Sequence, residues 1–147
     1  MAEYKRKEKR IYKPKVLIVE DMPTNVKAQI AEVKRHYTAD NVVLLETAVK
    51  YLKEKQYKYV VLDVTLPTTI LSVKDGNNAG YIFYDEYVSE LAPDAKIIFW
   101  DRRTEKYFDT KKYGDNNKFK FLHKVKDRYS LRYALDEFRN VDNETMK

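Results

Sequence analysis

The chain has 147 residues, enough for one domain with a single core, and no cysteine, which excludes disulfides, thiolate metal sites and cysteine nucleophiles. Its net charge of +6 is divided into +5 over residues 1–15, −4 over 16–101, +7 over 102–132 and −2 over the last fifteen. A uniformly basic nucleic-acid binder would not divide this way, so nucleic acid is not expected as a partner.

A basic tail, 1–14, precedes a domain expected over 15–140, and 141–147 reads as a short C-terminal tail. Val16–Val19 is four apolar residues in a row, which suits a strand covered on both faces, and it runs straight into Glu20-Asp21. A helix opens around Asp21–Asn25, with Thr24 or Asp21 as N-cap, and carries Val26, Ile30, Val33 and Tyr37 on one stripe. Val42–Leu45 reads as the second strand, a short helix follows around Ala48, Tyr51 and Leu52, and the third strand is Tyr59–Asp63.

The long connection 64–79 holds Pro67 and Asp75-Gly76-Asn77-Asn78, and is read as a surface insertion rather than a lid. Phe83, Tyr84, Tyr87, Val88 and Leu91 mark a third helix that Pro93 helps to terminate, and Ile97–Trp100 is a fourth strand closing on Asp101. Tyr107 and Phe108 suggest a short helix ended by Gly114; Phe119 and Phe121-Leu122 form strand five before Lys124. Leu131, Ala134, Leu135, Phe138 and Val141 give the last helix. Strands alternating with helices in this way predict an α/β doubly wound parallel sheet of five strands, a single domain.

Open α/β sheets place ligands at the C-terminal tips of their strands. The first and third strands would point Glu20, Asp21 and Asp63 into one crevice. Three carboxylates in a small volume repel one another, which implies a hard divalent cation, Mg²⁺. His36 and His123 have no second ligand near them in pattern and read as surface or core residues.

The ordered set Val16-Leu17-Ile18-Val19-Glu20-Asp21, Val60-Val61-Leu62-Asp63-Val64-Thr65-Leu66-Pro67 and Phe121-Leu122-His123-Lys124 resembles the receiver domain of bacterial response regulators (CheY-like), over roughly residues 15–140. Asn25 also fits many receivers. The resemblance implies a flavodoxin-like fold with Asp63 as phospho-acceptor. Glu20, Asp21, Asp63 and the backbone carbonyl of Thr65 would hold Mg²⁺, and Lys124 would pair with a phosphoryl oxygen or, at rest, with Asp63. It also implies a sensor histidine kinase or phosphotransfer protein as partner. The basic 102–132 face, with Lys111, Lys112, Lys118, Lys120, Lys126, Arg128 and Arg132, would meet a downstream protein or a second copy.

Two positions depart from the family. Asp101 stands where receivers carry the Thr or Ser hydroxyl that bonds the phosphoryl group, and Arg102 where they carry a small residue. A carboxylate ~5 Å from a phosphoryl charge is repulsive by about 3 kcal/mol at an effective dielectric of ~20. Val125 also replaces the usual proline. The expected function is a stand-alone, non-enzymatic switch of protein contacts in two-component signalling, since only a few residues follow 140. The alternative is a degenerate receiver-fold adaptor that binds partners without phosphorylation. An aspartate-nucleophile phosphohydrolase would need a second acid two residues after Asp63, where this chain has Thr65. No apolar run approaches the ~18 residues of a membrane span, so no membrane partner and a cytoplasmic location are expected.

Overall fold

The computed structural model of the chain describes residues 13–20, 23–64, 78–102, 108–114, 117–124 and 128–145. Five parallel strands form one sheet in the order β2-β1-β3-β4-β5: β1 (Lys15–Val19), β2 (Thr38–Val42), β3 (Tyr59–Asp63), β4 (Lys96–Asp101) and β5 (Phe119–His123). The three inner strands are the continuous apolar runs, and from Val16 to Val19, Tyr59 to Asp63 and Ile97 to Asp101 every residue is buried. Helices on both faces make that burial possible, which is why these strands show no polar alternation.

A short 3-10 turn, Pro23–Val26, leads into α1 (Lys27–His36), and α1 packs with α5 (Ser130–Thr145) on one face over Ile18, Val61, Ile98 and Trp100. On the other face lie α2 (Leu45–Glu54) and α3, a helix that runs Ala79–Phe83, widens to a π-helical turn at Tyr84–Val88 and ends Ser89–Leu91. They cover Leu17, Val60, Leu62 and Phe99. The short α4 (Thr110–Tyr113) is capped by Asp109, which accepts from the amides of Lys111 and Lys112, both at 3.1 Å. Phe99 ties this side together, with ring centroids 4.6 Å from Tyr81 and 4.8 Å from Tyr113.

Several elements differ from the sequence reading. Strand β2 is Thr38–Val42 rather than 42–45; Val43 and Leu44 are exposed, and Leu45 already opens α2. β2 is an edge strand, half covered, so a polar segment suffices there. Asn41 Nδ2 donates to the Ile18 carbonyl at 3.0 Å, while Asp40 accepts from Tyr57 Oη at 2.6 Å and Lys55 Nζ at 3.1 Å. The N-cap of α1 is Val26 with no side-chain bond, so Thr24 does not cap it, and Asp21 lies outside the described residues. Phe108 precedes α4 instead of belonging to it, and Tyr107, Val125 and most of the 64–79 loop fall outside the description. Helix α5 continues through the boundary drawn at 140 as far as Thr145, because Asp142 is fastened to the sheet.

Gly80 sets the start of α3. Its amide donates to the Val64 carbonyl at 2.9 Å, and a Cβ built on it would lie 2.5 Å from the Asp63 carbonyl oxygen. Only glycine lets the helix rest on the tip of β3 at this distance.

Asp142 accepts from Tyr59 Oη at 2.8 Å and Lys96 Nζ at 2.6 Å, with Lys58 Nζ at 3.9 Å. Burial alone would raise its carboxyl; the hydrogen bonds from Lys96 and Tyr59 and the lysine charges outweigh that and hold it low. Asp142→Ala leaves the buried Tyr59 hydroxyl without its acceptor and is expected to cost about 1–3 kcal/mol in urea unfolding at neutral pH. A depressed carboxyl contributes above its unfolded value and is lost as pH falls through the folded one. The gap between wild type and variant should therefore close below a pH of about 4.

Candidate functional site

Parallel strands bring their C-terminal ends to one edge, and the backbone ladder runs one residue beyond β1, β3 and β5. Glu20 N donates to Val42 O at 3.0 Å, Val64 N to Trp100 O at 3.0 Å, and Lys124 N to Asp101 O at 2.7 Å. These bonds fix the residues at the tips: Glu20 after β1, Asp63 ending β3, Asp101 ending β4 and Lys124 after β5.

The side chains of three of them converge. Lys124 Nζ lies 2.5 Å from Glu20 Oε2 and 3.1 Å from Asp63 Oδ2. The exposures of the three side chains are 6% for Lys124, 1% for Glu20 and 6% for Asp63, so this is a buried trio rather than a solvated bridge. The ammonium also stands 5.1 Å above the ring of Trp100, itself fully buried. The Lys124 ammonium thus lies between two carboxylates in a water-poor volume. Burial raises the Asp63 carboxyl, the charge of Glu20 and a hydrogen bond with it raise it further, and Lys124 opposes both without prevailing.

Hard oxygen donors short of positive charge suit a divalent cation. Of the expected ligands, Glu20 and Asp63 are brought together, while Asp21 and the Thr65 carbonyl lie outside the described residues. Among the described residues no three Asp, Glu or His side chains gather as a metal site, so Asp101 does not join Glu20 and Asp63 in one. Asp101 is buried at the tip of β4, on the strand face that carries Ile97 and Phe99, and Arg102 beside it is exposed.

Among the described residues of the basic segment, several cations are paired. Lys112 bonds Asp85 at 2.5 Å, Lys118 reaches the Pro93 carbonyl, and Lys120 pairs with Glu137 at 3.2 Å. Arg132 bridges Glu32 on α1 and Asp136 on its own helix, both at 3.1 Å. Lys111 and Arg128 are exposed; Lys126 is outside the description. His36 lies 3.4 Å from Glu32, and His123 is exposed at the end of β5. Among the described residues no helix is long and apolar enough to cross a membrane.

No protein-family model matches the chain, and no curated protein matches it by sequence. Its backbone is similar to solved receivers. A CheY-like response regulator receiver domain protein from Methanospirillum hungatei has a TM-score of 0.67 at 13% identity, covering 90% of this chain and 99% of that one. The response regulator TrrA of Thermotoga maritima, solved in complex with Mg²⁺-BeF, gives 0.65 at 20% identity over 85% and 98%. The histidine kinase ThkA in complex with TrrA gives 0.61 at 18% identity over 85% and 97%.

The fold is that of a response-regulator receiver domain. In that fold Glu20, Asp63, Asp101 and Lys124 stand at the C-terminal tips of the strands, beyond the buried apolar runs of β1, β3 and β4. Sequence reasoning named Glu20, Asp63 and Lys124 and read Trp100 as core beside the site, but it did not single out Gly80. Gly80, at the end of a turn-rich loop, brings α3 onto Asp63. Trp100 faces Lys124, and the signal for it was its place one residue before the tip of β4.

A raised Asp63 keeps its proton longer in the folded chain than in the unfolded one. The stability tied to this group is complete below its unfolded value, near pH 4, and declines as pH rises toward the folded value. Asp63→Asn removes that liability and leaves Lys124 with Glu20. Thermal unfolding at pH 8 should show the variant more stable than wild type by on the order of 1 kcal/mol, with the difference shrinking toward pH 5.

Proposed function

We propose that the chain is a phosphoryl-accepting receiver that switches protein–protein contacts after aspartyl phosphorylation. The observation that carries this reading is the buried ammonium shared by Glu20 and Asp63 at the C-terminal edge of the sheet. A structural ion pair would need one carboxylate; a second, buried at a cost of several kcal/mol, argues for a site that waits for more positive charge.

In this reading an Asp63 oxygen attacks the phosphorus of a phosphohistidine or an acyl phosphate. The new O–P bond forms as the bond from phosphorus to the leaving imidazole or carboxylate breaks. Lys124, already at Asp63, neutralises charge on the phosphoryl oxygens. Glu20 and Asp63, with Asp21 and the Thr65 carbonyl as their expected companions, would hold Mg²⁺, whose charge supplies electrostatic stabilisation to the transferred group. TrrA, solved with Mg²⁺-BeF and in complex with the kinase ThkA, supports both the cation and a histidine kinase as donor. The partner surface would draw on Lys111, Arg128 and their neighbours, the exposed part of the basic segment.

Intact-mass spectrometry after incubation with acetyl phosphate and Mg²⁺ is expected to show one added phosphoryl group on wild type and none on Asp63→Ala. An adduct persisting in the variant would remove Asp63 from the role.

Buried Asp101 favours a second reading, an adaptor that takes no phosphate, since a carboxylate replaces the hydroxyl donor. The two readings divide on Asp101→Thr. The substitution restores a hydroxyl and removes a negative charge, so the extent or lifetime of phosphorylation should rise. A fall would mean that Asp101 orients a neighbouring cation, and indifference would mean that it points away from the phosphoryl group.

A further inference from the structure

The ring of Trp100 is not explained by the site chemistry given so far. Its Cα is in register with Asp63 on one side and Leu122 on the other, and Lys124 lies two residues beyond Leu122. Residues in register share a face of a parallel sheet, as do residues two apart on one strand. Asp63, Trp100 and Lys124 therefore lie on the same face, toward α1 and α5, and the Lys124 ammonium stands 5.1 Å from the ring centroid.

Packing alone would be met by an aliphatic side chain, as at Ile98 two residues earlier on the same face. Hydrogen bonding does not account for an indole either, because the buried Nε1 finds no acceptor among the described residues. What tryptophan offers over other side chains of its size is the most electron-rich face, and a desolvated ammonium is where such a face counts most.

We infer that Trp100 is a positioning residue for Lys124, its indole face seating the ammonium beside Asp63. The inference rests on the reading of Asp63 as phosphoryl acceptor. The ammonium has three N–H groups and two carboxylates within reach, Glu20 at 2.5 Å and Asp63 at 3.1 Å; the ring is its third electron-rich neighbour. A divalent cation recruits carboxylate oxygens but not an aromatic face. When Glu20 is drawn to such a cation, the ring still holds Lys124 over the acceptor, where charge develops on the phosphoryl oxygens.

The test uses the full chain and three variants. In the protein without phosphoryl donor or metal, the ε-methylene protons of Lys124 should be shifted upfield by the ring current. Trp100→Phe should retain much of that shift and Trp100→Leu should lose it. With acetyl phosphate and Mg²⁺, adduct formation should stay within about twofold of wild type in Trp100→Phe and slow roughly tenfold in Trp100→Leu. Ordinary lysine shifts in wild type, or an unslowed Trp100→Leu, would overturn the inference. If wild type forms no adduct, the phosphoryl reading fails, and the NMR comparison decides the seating of Lys124 alone. Should Trp100→Leu not fold, Lys124→Met should move the emission maximum of the chain's only tryptophan, and an unchanged spectrum would overturn the contact.

Discussion

The rest of the site depends on one arrangement: the buried ammonium of Lys124 between two buried carboxylates, Glu20 and Asp63. Lys124 reaches across β4 and β3 to Glu20, so the tips of β1, β3 and β5 are cross-linked by one side chain. Removing charges from water costs more than one ammonium can return to two partners, and the raised carboxyl of Asp63 records the deficit. A site held in this condition discriminates strongly between states of different charge. A proton gained or lost by Asp63 alters this small volume by changing how Lys124 is shared.

The surrounding architecture keeps that volume dry and its members in place. Backbone bonds continue past the ends of the strands to Glu20, Val64 and Lys124, so the charged residues sit on fixed mounts rather than on free loop ends. The opposite edge of the sheet is fastened by Asp142, which joins α5 to β3 through Tyr59 and to β4 through Lys96. The Asp142 network thus holds one end of the sheet, and the buried charged trio stands at the other.

The inner strands were legible because a sheet covered on both faces demands continuous apolar runs, and Val16–Val19, Tyr59–Leu62 and Ile97–Trp100 supply them. β2 was not, because an edge strand can be built from Thr38, Ala39, Asp40 and Asn41 when polar side chains find partners across the edge; the apolar run after it belongs to the junction with α2. Glu20, Asp63 and Lys124 could be picked out from their order along the chain. That Lys124 also holds Glu20 could not, since the contact spans two intervening strands and depends on side-chain length. Trp100 was legible as a core residue, but its neighbour above the ring emerges only from register.

Gly80 has a mechanical consequence. Most helices meet a sheet through interlocking side chains, and a small displacement there is absorbed by a change of rotamer. At the start of α3 no such cushion exists: the helix backbone lies against the carbonyl of Asp63 and the α-carbon of Val64, and the Gly80 amide donates a hydrogen bond directly to the Val64 carbonyl. Close-packed backbones transmit displacement instead of dissipating it. The tip of β3 and the helix beside it are therefore joined backbone to backbone, and the same helix carries Asp85, which α4 grips through Lys112 and Tyr113.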